Sequence, residues 1–299
     1  MQSVTACVIA FNEEHNIRDC LQSVDFCDAR LVIDSHSTDQ TREIATELGA
    51  TVVERDWPGH IEQKNFAIEQ ATTDWVLCLD ADERVTPELR ARIQAVLENP
   101  EHDGYELNRR NLYLGGWIRG GGWYPDRKLR LFRRGRGQWG GVNPHDHVRL
   151  DPPGSVVPLG ADLEHYTYRD IADHLKTINY FSTIAAQEKL SRGQKHIHLN
   201  LLFNPPFKFF KMFILKAGFR DGWRGLVVAL LSTFYVFLRY AKLWELIYIK
   251  KQDASISVAY GRRGEAETPE SKPAESKAAE SKPDEAQPAE LPSGDSVPS

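Results

Sequence analysis

Short apolar runs rich in β-branched residues alternate with amphipathic segments through residues 1–100. The runs have the length of buried strands, and the segments between them repeat apolar residues at helical spacing. This order predicts a mostly parallel sheet covered by helices on both faces, with ligands beyond the carboxyl ends of the strands. The predicted strands are Ser3–Ala10, Arg30–Asp34, Thr51–Glu54 and Trp75–Leu79, and the predicted helices are Glu14–Val24, Asp39–Leu48 with Asp39 as N-cap, Ile61–Ala71 and Thr86–Leu97.

The pattern changes after residue 100. Tyr105–Asn108 is predicted as a strand, and Lys128–Arg133 as a second, basic strand. Between them lies a loop rich in glycine and tryptophan, Gly115–Trp123, whose glycines allow the close backbone approach typical of an element that covers a substrate. Asp170–Arg192 is then predicted as a helix.

Aromatic and basic residues are mixed along the segment Pro205–Lys251. Its apolar run, Leu226–Leu238, is shorter than the roughly 20 residues that a membrane-spanning helix needs. The mixture therefore predicts helices that lie in the plane of a membrane interface. Helices packed on the catalytic domain or in a dimer contact, and a true span, remain alternatives.

Of the 299 residues, 41% are hydrophobic and 26% are charged, as expected for a globular protein with a core. The net charge of −5 is uneven, because residues 109–136 and 208–251 are basic while the C-terminus is acidic, which favours an anionic partner on one face. After Gly264 no aromatic residue occurs, and the composition predicts disorder. The predicted organisation is a catalytic domain over residues 1–165, divided into halves 1–100 and 101–165, a helical membrane-associated region over 166–251, and a disordered tail over 252–299.

The cysteines and the N-terminus both indicate a cytoplasmic protein. None of the four cysteines forms a CxxC pair, and Cys7 and Cys78 lie in predicted strands, so free buried thiols are expected. The N-terminus shows no basic segment followed by the apolar run of a secretory signal.

Two carboxylates one residue apart, Asp80 and Asp82, directly follow the apolar strand Trp75–Leu79. Because ligands bind at that edge and two such acids repel each other, the pattern predicts a divalent cation, Mg²⁺ or Mn²⁺, that completes its coordination with water and substrate phosphates. A solvated acidic turn that precedes the next helix is the alternative.

Two other strand ends carry candidate donor-binding residues. Asp34 ends its strand and is placed to accept hydrogen bonds from a base or ribose. The first strand ends in Phe11-Asn12-Glu13-Glu14, where backbone groups and the ring of Phe11 could hold a flat base.

Together these motifs resemble glycosyltransferase family 2, whose members have the GT-A fold. The resemblance rests on Phe11-Asn12-Glu13-Glu14, on Ile33-Asp34-Ser35-His36-Ser37-Thr38-Asp39-Gln40-Thr41 and on Asp80-Ala81-Asp82-Glu83, in the family's order. His36 and Gln40 stand where the family often has glycine. The resemblance implies donor contacts from Phe11, Glu13, Asp34, Asp80 and Lys64, the last of which could instead be an exposed helix lysine, and it implies a metal held by Asp80 and Asp82.

Within that family the chain is most similar to the branch that builds lipopolysaccharide inner cores by β-glucosyl transfer. This similarity rests on Gly121–Asp126, Lys128–Arg133 and Pro144–Val148, and on the later segments Gly218–Gly222 and Tyr240–Glu245. Relatives commonly carry His-Glu where this chain has His145-Asp146. The similarity implies a nucleotide-sugar donor, with UDP-glucose as the first candidate, and a lipid-linked glycan acceptor at the cytoplasmic face of the inner membrane. Acceptor or phosphate contacts are expected from Trp123, Arg130, Arg133 and His145, although Arg130 and Arg133 could instead be solvated strand residues.

Inverting transfer requires a base that removes the proton of the acceptor hydroxyl. Asp146 is the candidate by its position after the Gly/Trp loop and by resemblance, and Asp126 is the competitor. Asp146 could also be a turn residue or could orient His145.

Two other functions fit part of the pattern. A nucleotidyltransferase of sugar phosphates would share the sheet and the acids, but the turn after the first strand is acidic rather than Gly-rich and basic. A non-catalytic sugar-nucleotide-binding scaffold at the membrane would not need Asp80 and Asp82, which are both present. No nucleic-acid partner is expected, because no recognition motif accompanies the basic clusters.

Overall fold

The computed structural model describes residues 1–141, 146–193 and 197–264, and for residues 249–264 only the backbone. The strands are β1 Val4–Ala10, β2 Ala29–Asp34, β3 Thr51–Glu54, β4 Trp75–Asp80, β5 Glu83–Val85, β6 Gly104–Tyr113, β7 Gly116–Trp117, β8 Asp126–Arg133, β9 Gly137–Gly140, β10 His147–Leu150 and β11 Val156–His165. The helices are α1 Ile17–Ser23, α2 Thr41–Glu47, α3 His60–Gln70, α4 Pro87–Glu98, α5 Ile171–Ser191, α6 Ile197–Phe210 and α7 Gly222–Gly264, with a π-helical turn Lys211–Leu215 and a 3₁₀ turn Gly218–Asp221 before α7.

Nine strands form one mixed sheet in the order β3-β2-β1-β4-β8-β6-β11-β5, with β7 paired to β6. The first four strands in this order are parallel, as the sequence predicts. Beyond them β8 is antiparallel to β4 and β6, while β11 is parallel to β6. The carboxyl ends of β1, β4, β6 and β11 therefore lie at the same edge, which also holds the amino end of β8.

The sheet is strongly curled. β5 lies at the far end of the strand order, although it begins three positions after Asp80 in the chain. A connection this short requires the far edge of the sheet to come back beside β4. The curl encloses the side chain of Glu83, which has no exposed surface, next to the arginines of β6 and β8.

Helices cover both faces of the parallel strands, as predicted. Val4, Ala6 and Val8 of β1 pack in a cluster with α1, α2 and α4, whereas Cys7 and Ile9 face α3 and the β9–β10 ribbon on the other side. All four cysteines are free and buried, which confirms the expectation from their positions.

Several predicted boundaries require correction. The N-cap of α2 is Gln40; Asp39 instead accepts hydrogen bonds from the backbone N–H of Thr41 (3.0 Å) and of Glu14 (3.1 Å), so it ties the turn to the tip of β1. The strand predicted at Tyr105–Asn108 extends to Tyr113. β5 and β9–β11 have no counterpart in the prediction, and helix α7 continues to Gly264, past the start of the predicted tail at residue 252. Residues 265–299 lie outside the described part of the chain.

The C-terminal helices pack against one another and against the Gly/Trp loop. Buried residues of α5, α6 and α7 form one cluster, and Tyr113 and Ile118 pack on Met212 and the start of α7 in another. Within the described residues one segment, Gly218–Tyr248, is long and apolar enough to cross a membrane by length and composition, with 28% of its most apolar window buried. The helix is thus longer than the apolar run predicted from sequence, so length does not exclude a span.

Candidate active site

Six of the predicted site residues converge on a cavity of about 420 Å³ at the carboxyl edge of the sheet. Phe11 and Glu13 from the tip of β1, Asp80 and Asp82 after β4, Lys64 of α3 and Asp146 all line it. Phe11 is 57% exposed, so its ring is available to a flat ligand. The cavity also includes residues that the sequence analysis did not single out: Trp57, His60, Arg109, His165, Thr167, Tyr168, Thr177 and Phe181.

Lys64 joins the two key carboxylates of the cavity. Its ammonium lies 3.1 Å from Asp80 Oδ1 and 3.0 Å from Asp146 Oδ2, and its side chain is 9% exposed. The ammonium also lies 4.3 Å from the centre of the Trp139 ring. Lys64 is therefore not an exposed helix lysine, and it fixes Asp146 beside Asp80.

Asp80 is surrounded by positive charge. Partial burial alone would raise the pKa of Asp80, but the charges of Lys64, Arg130 and Arg109 outweigh it and hold that pKa well below its usual range. Asp80 therefore stays ionised and has cationic partners already in the protein.

Arg130 belongs to the interior beneath the cavity. Its side chain is 3% exposed and donates to Asp80 Oδ2 (3.1 Å) and Glu83 Oε1 (2.8 Å). This guanidinium compensates the carboxylates of Asp80 and Glu83, and it also lines the second cavity described below, so its predicted phosphate contact stays a prediction.

Asp82 faces a histidine from the neighbouring part of the sheet. His165 Nε2 lies 3.1 Å from Asp82 Oδ2, and the other ring nitrogen, Nδ1, lies 2.6 Å from Asn111 Oδ1. The amide of Asn111 is oriented by its own donation to the carbonyl of Trp123, at 3.2 Å. Nδ1 therefore carries the hydrogen, and in the neutral ring the lone pair of Nε2 points toward a carboxylate.

This pair fits a divalent ion better than Asp80 does. A neutral imidazole lone pair opposite a carboxylate is repulsive unless a cation or a proton lies between them, and a histidine whose second nitrogen donates to an amide oxygen has the orientation typical of metal ligands. The carboxyl of Glu13, which lines the same cavity, has a raised pKa. Burial raises this pKa, the hydrogen bond with Asn16 lowers it, and the charge of Asp82 raises it. Within the described residues no three His, Cys, Asp or Glu side chains form a complete metal cluster, so other ligands would come from substrate and water.

Asp34 holds a turn and does not reach the cavity. Its carboxylate has no exposed surface and accepts hydrogen bonds from the backbone N–H of Ser37 (2.7 Å) and from the Ser37 hydroxyl. The turn places His36 at φ 59°, a left-handed conformation that explains why the family often has glycine there. The predicted donor contact of Asp34 is therefore replaced by a structural role.

Two further predicted residues, Arg133 and Trp123, lie away from the cavity walls. Arg133 sits beside Trp75 at the opposite edge of the sheet, because β8 runs antiparallel to β4 and ends where β4 begins. Trp123 packs with Tyr113 and Tyr168 behind the cavity and acts through its carbonyl on Asn111. These positions correct the predicted substrate contacts of Arg133 and Trp123. His145 lies outside the described residues.

Asp126, the competing base, is already paired. Its carboxylate accepts from Arg109 Nη2 at 2.8 Å and lies 3.1 Å from the ammonium of Lys128. Partial burial would raise the pKa of Asp126, but Arg109 and Lys128 lower it on balance.

A second cavity of about 440 Å³ lies on the other side of the Lys64–Asp146 pair. Lys64, Asp80, Arg109 and Asp146 line both cavities, so Asp146 is reached from either one. The outer wall of the second cavity is formed by β6, β8 and the β9–β10 ribbon, and includes Glu106, Arg127, Lys128 and Trp139.

Comparison with known proteins agrees with this arrangement. The sequence model described as Glycosyl transferase family 2 matches residues 5–147. An uncharacterized glycosyltransferase of Rickettsia typhi is 30% identical over 258 residues, which cover 82% of this chain and 88% of that protein. The chain belongs to glycosyltransferase family 2. The lipopolysaccharide core biosynthesis glycosyltransferase LpsC of Rhizobium meliloti is 29% identical over 258 residues, covering 81% of this chain and 92% of LpsC.

Among solved structures, Staphylococcus aureus TarS 1–349 in complex with UDP is 23% identical over 38% of this chain and 37% of that one, with a TM-score of 0.34. Glucosyl-3-phosphoglycerate synthase from Mycobacterium tuberculosis, in complex with Mn²⁺, UDP and glucosyl-3-phosphoglycerate, is 24% identical over 36% of this chain and 44% of that one, with a TM-score of 0.32. Overlaps this small carry no argument about this chain. Family membership itself makes the protein a glycosyltransferase with a GT-A fold, and the acids after β4 lie at the edge where that fold binds its donor.

Proposed function

We propose that this family 2 enzyme transfers a hexose, with inversion, from a nucleotide-sugar donor to a lipid-linked acceptor of the lipopolysaccharide core type. The observation that carries the proposal is that Phe11, Asp82 and Asp146 face one cavity. An exposed ring for the base, a carboxylate for a metal-bound diphosphate and a second carboxylate for the acceptor are the parts that such a transfer needs. The similarity to LpsC supports the core-type acceptor.

In this reaction the acceptor hydroxyl oxygen attacks the anomeric carbon, and the bond from that carbon to the diphosphate oxygen breaks with its electrons. Asp146 takes the proton of the attacking hydroxyl. Asp82 and His165 would hold Mg²⁺ or Mn²⁺, and the bound ion would stabilise the charge of the departing diphosphate. Phe11 and Glu13 line the donor side, and Lys64 keeps Asp146 in place.

The test is release of nucleoside diphosphate from a panel of nucleotide sugars, UDP-glucose first, with Mn²⁺ or Mg²⁺ and with or without a lipopolysaccharide-core acceptor. Release that requires both metal and acceptor is expected. If no nucleotide sugar or UDP binds in the presence of metal, the proposal is wrong.

We place the acceptor in the second cavity because it reaches Asp146 from the side opposite the donor residues. Arg127 is exposed on β8 and, within the described residues, forms no ion pair, unlike Lys128, which pairs with Asp126. An unpaired guanidinium at the cavity mouth is suited to a phosphate or carboxylate on the acceptor. Arg127 thus takes the role that the sequence analysis gave to Arg133.

Replacement of Arg127 by glutamine is expected to raise the acceptor KM by at least about tenfold while the donor KM stays unchanged, because one charged hydrogen bond is worth roughly 1.5–3 kcal/mol. Steady-state kinetics with each substrate varied separately measure this. Arg134→Gln is the matched control, since Arg134 is exposed at the opposite edge and donates to the Thr73 carbonyl. Equal acceptor KM values in the two variants would remove Arg127 from the acceptor site.

We further propose that the enzyme is peripheral at the cytoplasmic face of the inner membrane, held by α6, α7 and the turns between them. One side of α7 packs in the protein through Val228, Val236 and Leu243. The other side exposes a second apolar stripe at spacings of three, four and seven residues, which is helical spacing. The stripe consists of Leu230, Phe234, Phe237, Trp244 and Tyr248, each between 37% and 50% exposed.

Positive charge accompanies this apolar surface. Burial lowers the pKa of Lys208, and nearby positive charges lower it further. Those charges belong to Lys216, Lys211 and Arg239. A cluster of cations beside exposed aromatic rings is suited to an anionic membrane surface.

Replacement of Phe219 and Trp223 by serine is expected to lower binding to vesicles that contain anionic phospholipid by at least about tenfold, because burial of a large apolar side chain contributes about 1.5–3 kcal/mol. These side chains are 53% and 81% exposed. Vesicle co-sedimentation measures the effect. Val156→Ser, an exposed apolar residue at the start of β11, is the control. Unchanged binding of the double variant would show that this surface does not contact lipid.

A further inference from the structure

The segment Gly218–Gly222, which the proposed chemistry does not use, lies between the membrane-facing surface and the Gly/Trp loop. Asp221 belongs to the 3₁₀ turn before α7, between the exposed rings of Phe219 and Trp223. Its carboxylate accepts hydrogen bonds from two successive backbone N–H groups of the loop, Arg119 at 3.0 Å and Gly120 at 2.7 Å. One side chain thus ties the loop to the turn that carries the two aromatic residues.

The contact between the loop and the turn is close along its length. Gly121 N–H donates to the Lys216 carbonyl at 2.9 Å, and Arg224 Nε donates to the Leu114 carbonyl at 2.9 Å. A Cβ at Gly120 would lie 2.5 Å from the carbonyl oxygen of Ala217, so only glycine fits there. The loop and the turn are therefore tied to each other at several points.

From the loop, hydrogen bonds continue to the proposed metal ligands. The carbonyl of Trp123 accepts from Asn111 Nδ2 at 3.2 Å, and Asn111 Oδ1 accepts from His165 Nδ1 at 2.6 Å. His165 Nε2 then faces Asp82 at 3.1 Å. The position of the loop thus determines the orientation of the histidine that faces the donor site.

From this continuous chain of contacts we infer that Asp221 is a positioning residue through which membrane binding increases sugar transfer. The inference rests on the proposed membrane association. Lipid contact at Phe219 and Trp223 holds the turn, Asp221 holds the loop, and the loop keeps Asn111 and His165 in the orientation that binds metal and donor. A coupling of 1–3 kcal/mol corresponds to roughly a 5- to 150-fold effect.

The experiment uses the full chain with Mn²⁺, the nucleotide sugar that the donor panel identifies and a water-soluble core oligosaccharide as acceptor, with and without vesicles containing anionic phospholipid. We expect vesicles to raise the kcat/KM of the wild-type enzyme by about fivefold or more and to increase its Mn²⁺ affinity. Asp221→Asn should bind vesicles as the wild type does, but the ratio of its activity with vesicles to its activity without them should fall to about one.

Asp170→Asn is the matched control, because Asp170 is also a carboxylate that accepts from a backbone N–H, that of Asp173 at 2.7 Å, outside this chain of contacts. It should keep the stimulation. If Asp221→Asn does not fold, Gly120→Ala, which pushes the loop away from the turn, replaces it.

Stimulation of Asp221→Asn equal to that of the wild type would overturn the inference, and so would a wild-type enzyme that binds vesicles without any gain in activity. A wild-type enzyme that does not bind vesicles would instead refute the membrane association on which the inference rests.

Discussion

Replacement of Asp146 by asparagine is expected to lower kcat by on the order of 10²-fold or more, since a positioned general base contributes about 10²–10⁴-fold. The amide cannot take the proton of the acceptor hydroxyl. It can still accept a hydrogen bond from Lys64, whose charge stays compensated by Asp80 at 3.1 Å, so the fold and the donor KM should be retained. Single-turnover transfer and UDP binding, measured on the same preparation, separate the two effects.

Asp126→Asn is the matched control for this experiment. Asp126 is the other candidate base, but Arg109 and Lys128 already occupy its carboxylate, and it lines neither cavity within the described residues. We expect it to retain most of the turnover. A loss confined to Asp126→Asn would transfer the role of base to that residue, and equal losses in both variants would point to a disturbed cavity instead.

The parallel half of the sheet could be predicted because its pattern is local. Its two central strands, β1 and β4, are uninterrupted apolar runs that are buried on both faces, and the helices between the strands repeat apolar residues at helical spacing. β11 could not be recognised in the same way, because Pro158 and Gly160 interrupt its alternation and its partners lie far away in the chain. The curl of the sheet depends on that strand and on the three-residue β5, neither of which has a strong local signal.

Whether a site residue could be predicted depends in the same way on whether it belongs to the parallel half of the sheet. Asp80 and Asp82 could be found because they follow a strand of the parallel half, where the end of each strand fixes the position of its residues, whereas Lys64 was found by resemblance to the family. His165 was missed because it is the last residue of β11, the strand that the sequence pattern did not reveal. Had β11 been recognised, a histidine at its carboxyl end would have been the signal. Arg130 and Arg133 were expected at a phosphate from their charge and from the similarity, but the pattern does not give the direction of β8, which places Arg130 against Asp80 and Arg133 at the opposite edge.

Replacement of His165 by glutamine, or of Asp82 by asparagine, is expected to lower the affinity of the UDP-bound enzyme for Mn²⁺ by at least 10- to 100-fold, the loss typical even of residues that only support a metal ligand. The side chains of His165 and Asp82 are 12% and 23% exposed, so neither substitution leaves a fully buried polar group without its partner. Both variants should therefore fold. Titration of Mn²⁺ by calorimetry or by its paramagnetic effect measures the affinity without any turnover.

The two residues could instead form an ordinary ion pair, and the same titration decides between these roles. A protonated His165 beside Asp82 would contribute about 0–1 kcal/mol to the free energy of unfolding, as partly exposed pairs do, and the substitutions would then leave the Mn²⁺ affinity unchanged. Glu164→Gln shows what the loss of such a pair alone produces, because Glu164 precedes His165 on β11 and pairs with Arg110 at 3.0 Å with the same 23% exposure as Asp82. If His165→Gln and Glu164→Gln bind Mn²⁺ equally well, the metal must be held elsewhere in the cavity. If only His165→Gln and Asp82→Asn lose affinity for Mn²⁺, metal binding explains why Asn111 orients the ring of His165.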